Sequence, residues 1–185
     1  MIKKVLFWTI AIVFGIIIIS SGVNNTLDPK ENREERSERE PRTENYEFYY
    51  VTKVIDGDTL IANVKGTKTT IRLIGVNTPE VDASLREVEC FGEKASREAK
   101  KMLFGKQIRI EKDSSQGDFD KYGRTLAYVF LKDGTFFNEY MIKEGYAYEY
   151  TYNLPYKYQD QFKKSQDVAE RKEKGLWEIG VCQNF

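Results

Sequence analysis

The chain has 185 residues, enough for one domain of ordinary size with appendages, and its 29 basic and 29 acidic residues leave no formal net charge. A nucleic-acid binder is usually basic, because counterion release drives its association, so bulk charge gives no support to such a partner and any case rests on local residues. There is no histidine and there are two cysteines, which excludes a Ser-His triad, an imidazole general base, and a His-held or four-Cys zinc site. An enzyme made from this chain works with carboxylates, arginines, lysines, tyrosines or a hard cation held by oxygen.

Lys3 and Lys4 precede an almost unbroken apolar run from Val5 to Ile19, followed by Ser20, Ser21 and Gly22. A positive start and an apolar stretch of this length read as an export segment, with the lysines kept inside and everything downstream outside. Ser20 and Gly22 are small enough for a cleavage site, yet no A-x-A motif is present, and the run approaches the roughly 17 residues of a minimal membrane span. Residues 1–22 are therefore read as a signal peptide or a transmembrane anchor, with the balance on the anchor side. Residues 23–45 are polar, carry charges of both signs and include one leucine and no aromatic residue. Such a stretch buries too little apolar surface to offset the entropy of ordering and reads as a disordered charged linker.

From Tyr46 to Phe185 the composition is that of a folded domain, neutral like the rest. Tyr46 to Ile55 is aromatic and β-branched, as a strand requires. Asp56-Gly57-Asp58 turns, Thr59 to Val64 forms a second strand, and Lys68 to Val76 returns as a third. Glu93 to Leu103 is a helix with Ala95, Ala99 and Leu103 four residues apart. Gln107 to Lys112 and Arg124 to Leu131 are the fourth and fifth strands. Phe136 to Lys143 is a short helix stopped by Gly145, and Asp160 to Lys174 is a charged amphipathic helix stopped by Gly175. Five short strands with a helix after the third predict an α+β fold: a five-stranded OB-fold β-barrel with about three helices.

Three clusters carry chemistry. They are Asp56-Gly57-Asp58-Thr59, the run from Arg72 to Glu80 with Asn77-Thr78-Pro79-Glu80 at its end, and Asp120-Lys121-Tyr122-Gly123-Arg124. Each alone has an ordinary explanation, a surface turn or a strand exit. Arg72 shares a strand with apolar residues, where an unpaired guanidinium is costly, and so calls for a carboxylate or an anionic ligand. Together they fit phosphodiester hydrolysis: two arginines clamp the phosphate oxygens, oxygen ligands hold a hard cation, and a carboxylate orients or deprotonates water.

From about Lys53 to Trp177 the chain resembles the staphylococcal nuclease (thermonuclease) family, in the stretches KVIDGDT, IRLIGVNTPE, FGEKAS, DKYGRTLAYV, IKEGYA and KEKGLW, which occur in the family's order. The resemblance implies one calcium ion, ligated by the Asp58 carboxylate, the Thr78 backbone carbonyl and the residue at position 77. It implies that Glu80 acts on the attacking water, that Arg72 and Arg124 stabilise the phosphate, and that Lys121 and Tyr122 hold a terminal phosphate. It implies cleavage of DNA and RNA, sequence-tolerant and preferably single-stranded, to 3′-phosphates and 5′-hydroxyls, by a monomer.

Three departures stand out. Asn77 replaces an aspartate of the family and ligates without charge, which predicts weaker calcium binding. The loop from Val81 to Gly92 carries Asp82, Glu87 and Glu89 against Arg86 alone, which predicts weaker substrate binding or, equally, a solvated loop without effect. Thr151 stands where the family stacks a tyrosine on the base. Tyr150 and Tyr152 flank it, with Tyr148 and Tyr156 nearby, each a stacking ring or a core residue. Cys90 and Cys182 are expected to form a disulfide in an exported protein. The expected function is an exported or membrane-tethered calcium-dependent endonuclease, acting at the outer face of the cell membrane or secreted. The alternative is a tethered, non-catalytic binding module on the same barrel.

Overall fold

The computed structural model describes residues 46–81 and 89–182. The expected export segment and charged linker (1–45), the loop residues 82–88 and the last three residues lie outside the described residues. The elements in chain order are β1 (Tyr49–Val54), β2 (Thr59–Val64), β3 (Thr67–Leu73), β4 (Val76–Asn77), α1 (Gly92–Leu103), β5 (Gln107–Glu111), β6 (Thr125–Leu131), α2 (Phe137–Lys143), β7 (Tyr148–Glu149) and α3 (Gln159–Arg171), followed by a 3-10 turn at Gly175–Trp177.

Five strands close a barrel in the order β1-β2-β3-β6-β5, with β5 returning to β1. All pairings are antiparallel except β3 with β6. This is the expected OB-type barrel with three α-helices. The barrel interior is filled by Val51, Leu60, Ala62, Ile71, Leu73, Ile108, Ala127 and Val129, the inward positions of alternating strands. On α1, Ala95, Ala99 and Leu103 face inward at helical spacing, the two small alanines letting the helix pack against β1. α2 and α3 pack on each other beside β6, around the rings of Tyr128, Phe136, Tyr158 and Phe162.

One boundary differs from the sequence expectation. The third strand, expected from Lys68 to Val76, breaks at Ile74-Gly75, and Val76 with Asn77 forms β4, paired with β7 outside the barrel. Gly75 has φ +76°, and a Cβ there would lie 2.7 Å from the Tyr156 ring. Only glycine accepts that backbone at that distance. The fully buried Asn138 of α2 locks the break: its Oδ1 accepts the Val129 N–H at 2.9 Å and its Nδ2 donates to the Ile74 carbonyl at 2.9 Å.

The register sets up the site. Thr59 at the start of β2 sits opposite Arg72 of β3, and Arg72 sits beside Leu126 of β6. Arg124 immediately precedes β6. Three separate chain segments therefore end at one rim of the barrel.

Candidate active site

Asp58 is the hub of that rim. The preceding turn is tightened by the Asp58 N–H, which donates to Asp56 Oδ1 at 2.9 Å. A Cβ on Gly57 would meet the Thr78 side chain at 2.5 Å, so the absence of one lets this turn lie directly on the strand exit that carries Asn77 to Glu80. The Asp58 carboxylate is 7% exposed and fully engaged. Its Oδ2 accepts the Thr78 N–H at 3.0 Å and the Thr78 hydroxyl at 3.2 Å, and faces Arg72 Nη2 at 3.1 Å. Its Oδ1 accepts the Thr59 hydroxyl at 3.0 Å.

Both arginines are fixed before any ligand arrives. Arg72 Nη1 donates to the carbonyls of Leu73 (2.9 Å) and Val76 (2.6 Å), on either side of the Gly75 break, while Nη2 turns to Asp58 and lies 3.4 Å from Asn77 Oδ1. Arg124 Nε donates to Asp120 Oδ2 at 2.7 Å, and its Nη1 reaches the Thr59 hydroxyl at 3.4 Å. Thr59 thus relays between Arg124 and Asp58. One hydrogen-bonded network joins Asp58, Arg72, Asn77, Thr78 and Arg124. Asp120 also accepts the N–H groups of Tyr122 and Arg124, each at 2.9 Å. Burial alone would raise its carboxyl, and these hydrogen bonds with the guanidinium hold it below the usual carboxylate range.

Glu80, two residues past Thr78, is exposed. Its backbone is held by Glu89: the Glu80 N–H donates to Glu89 Oε2 at 3.1 Å, and its carbonyl accepts the Glu89 N–H at 3.0 Å.

The oxygen donors suit a hard cation. Asp58 supplies a carboxylate, Asn77 an amide oxygen and Thr78 a backbone carbonyl, the donor classes calcium prefers. Asp56 beside them is pushed up to about 7 by burial and by the neighbouring Asp58 charge. Among the described residues no three His, Cys, Asp or Glu side chains gather.

Beyond Arg124 lies an aromatic and basic surface. Tyr122, Tyr150 and Tyr152 are 71%, 43% and 63% exposed. The Tyr150 and Tyr152 rings are 6.3 Å apart, and Lys121 Nζ sits 5.0 Å from the Tyr122 ring. The lysine's pKa is raised, first by Tyr122 and then by the phenols of Tyr152 and Tyr150. The other candidates part company. Tyr156 is a core residue whose hydroxyl donates to Glu149 at 2.8 Å, Thr151 faces the same carboxylate at 2.6 Å, and Tyr148 packs edge-on against Trp177.

Cys90 and Cys182 are joined in a disulfide, with 5.6 Å between their Cα atoms. Sequence reasoning missed three contributors. Thr59 was legible only as the residue after Asp58. Asp120 stands in a charged cluster with no role evident from composition, although an acid four residues before an arginine is a pairing signal. Glu89 was counted as a loop charge, and nothing local reveals that its carboxylate reaches back nine residues.

The family model described as Staphylococcal nuclease homologue matches residues 70–179. The chain belongs to the staphylococcal nuclease family. Among its relatives in that family, a thermonuclease of Staphylococcus hyicus is 40% identical over 133 residues, covering 72% of this chain and 77% of the relative. A thermonuclease of Staphylococcus intermedius is 42% identical over 132 residues, covering 71% and 77%. Endonuclease YncB of Bacillus subtilis is 33% identical over an alignment of 197 positions that spans 95% of this chain and 92% of the relative. Membership places the chain among nuclease hydrolases.

Proposed function

We propose that this protein is an exported, calcium-dependent endonuclease that cleaves DNA and RNA to 3′-phosphate and 5′-hydroxyl ends. The observation that carries the reading is the network Thr78–Asp58–Thr59–Arg124, with Arg72 on Asp58. It joins an oxygen-donor site and two guanidinium groups at one rim of the barrel. A phosphodiester needs positive charge on its non-bridging oxygens, which this network supplies, and an oriented water, the role of Glu80 two residues past Thr78.

Asp58, Asn77 and Thr78 would hold the calcium ion, which when bound supplies charge against the phosphate and a place for water. Glu80 orients the water and accepts its proton as the oxygen attacks phosphorus. Arg72 and Arg124, the latter braced by Asp120, stabilise the added negative charge. The bond between phosphorus and that oxygen breaks, leaving the phosphate on the 3′ side and a 5′-hydroxyl that takes a proton from solvent. Lys121 and Tyr122 hold the next phosphate. Tyr150 and Tyr152 stack on bases, each worth about 1–3 kcal/mol, which favours single strands because paired bases hide their faces. The disulfide and the apolar N-terminal run support a place outside the cell, tethered or secreted.

The test is digestion of single-stranded and duplex DNA and of RNA by the purified protein, with calcium and with chelator. Cleavage is expected with calcium only, and Glu80→Gln and Arg124→Ala each lower kcat by roughly 10²–10⁴-fold. Binding without cleavage would establish the non-catalytic module instead.

A further inference from the structure

We propose that Glu89 is a positioning residue for Glu80, closing the base of the loop between them and anchored in turn by the Cys90–Cys182 disulfide. The inference rests on the reading of Glu80 as the group that acts on water.

Glu89 takes both polar groups of the Glu80 backbone, one through its side chain and one through its own N–H. A single residue thus fixes the strand exit at the point where the chain leaves Thr78 and Pro79 for the loop. What holds Glu89 is equally definite. Its carbonyl accepts the Gly92 N–H at 3.1 Å, tying it to the first turn of α1, which packs on the barrel. Gly92 lies against the same exit, where an added Cβ would sit 2.6 Å from the Glu80 carbonyl oxygen. The next residue, Cys90, is bonded to Cys182, just past the turn that carries Trp177. Glu89 therefore links α1 and, through the neighbouring disulfide, the C-terminal tail to Glu80.

An exposed hydrogen bond of this kind contributes little to stability, on the order of 1 kcal/mol. Its effect on catalysis is larger, because displacing a reacting group by about 1 Å can cost 10²-fold in rate. An acid in this loop has a second plausible effect, repulsion of the polyanionic substrate. The two effects separate cleanly: lost positioning lowers kcat, whereas lost repulsion lowers KM.

The experiment measures kcat and KM for calcium-dependent cleavage by the full chain carrying Glu89→Ala, Glu89→Gln, Glu89→Asp, or Cys90→Ser with Cys182→Ser, alongside Glu80→Gln, with thermal melts of each. Glu89→Ala and Glu89→Asp are expected to lower kcat roughly 10–100-fold, the latter because it keeps the charge but is one carbon too short. Glu89→Gln retains an acceptor oxygen and is expected to stay within a few-fold of the parent. The double serine variant lowers kcat less than Glu89→Ala, since the hydrogen bonds remain and only their anchor slackens. If Glu89→Ala unfolds, Glu89→Asp against Glu89→Gln carries the same comparison. The proposal is overturned if Glu89→Gln falls as far as Glu89→Asp, or if all the Glu89 variants change only KM. If Glu80→Gln keeps the parent kcat, the reading of Glu80 fails first. If Glu80→Gln collapses while Glu89→Asp matches the parent, the present inference alone is lost.

Discussion

Arg72 divides its guanidinium between structure and chemistry, with one nitrogen on two backbone carbonyls and the other on Asp58. Removing it therefore does two things. Arg72→Ala leaves the buried Asp58 carboxylate without its countercharge, which costs about 3–5 kcal/mol when a buried pair is broken. Chemical denaturation of the metal-free variant is expected to show that loss, with calcium restoring part of it because the cation supplies the missing charge. An undiminished unfolding midpoint would mean that the threonine hydrogen bonds alone satisfy Asp58. Asn77 tests the opposite change. Asn77→Asp adds a charged oxygen to the donor set and is expected to tighten calcium binding by roughly tenfold or more, read by isothermal titration. At this scale the sequence was informative about residue types: Asp58, Arg72, Glu80 and Arg124 were all legible as chemical parts. It was silent on Thr59 and Glu89, because a hydroxyl relay and a long-range carboxylate contact leave no periodicity or spacing to read.

Among the elements, the break between β3 and β4 matters most to function. It delivers the Val76 carbonyl and the Asn77 side chain to Arg72 and swings Thr78 over Asp58. Hydrophobic alternation runs straight through Ile74, so the segment looked like one strand; the turn is imposed by Gly75 and by Asn138, 64 residues away, neither of which disturbs the local pattern. Asn138→Ala leaves the Ile74 carbonyl and the Val129 N–H buried without this partner, at about 1–3 kcal/mol each. The expected result is a lower melting temperature together with a lower kcat, because the same carbonyl terminates the strand that bears Arg72. A destabilised variant with unchanged kcat would show that the break forms without this lock. The three helices and four of the five barrel strands were legible to within a few residues, since their burial follows simple periods of 3.6 and 2.

At the level of the whole molecule, two long-range ties hold the chain. The Cys90–Cys182 bridge closes a loop of 92 residues, for which chain-entropy estimates give about 4–5 kcal/mol. Reduction, or the double serine substitution, is expected to lower the urea midpoint accordingly. The second tie is the buried Asp113, which accepts hydrogen bonds from Lys157 N–H, Tyr128 hydroxyl and Ser115, joining the segment after β5 to the one that carries Tyr150 and Tyr152. Burial alone would raise its carboxyl, but these donors hold it below the usual value. The folded state therefore releases this proton more readily than the unfolded chain does. The stabilisation is complete above the ordinary carboxylate pKa and is lost as pH falls from about 4 through the lower folded value. Asp113→Asn is expected to be less stable at neutral pH and to show a flatter acid limb in its stability profile.

The closed barrel contains a single parallel contact, in which Arg72 of β3 lies beside Leu126 of β6, two residues beyond Arg124. No hairpin can bring those two segments together; they meet only when remote parts of the chain dock. Hydrolytic power is thus expected of the finished molecule alone. After dilution from denaturant, cleavage should return in step with the slowest recovery of near-ultraviolet circular dichroism and never ahead of it.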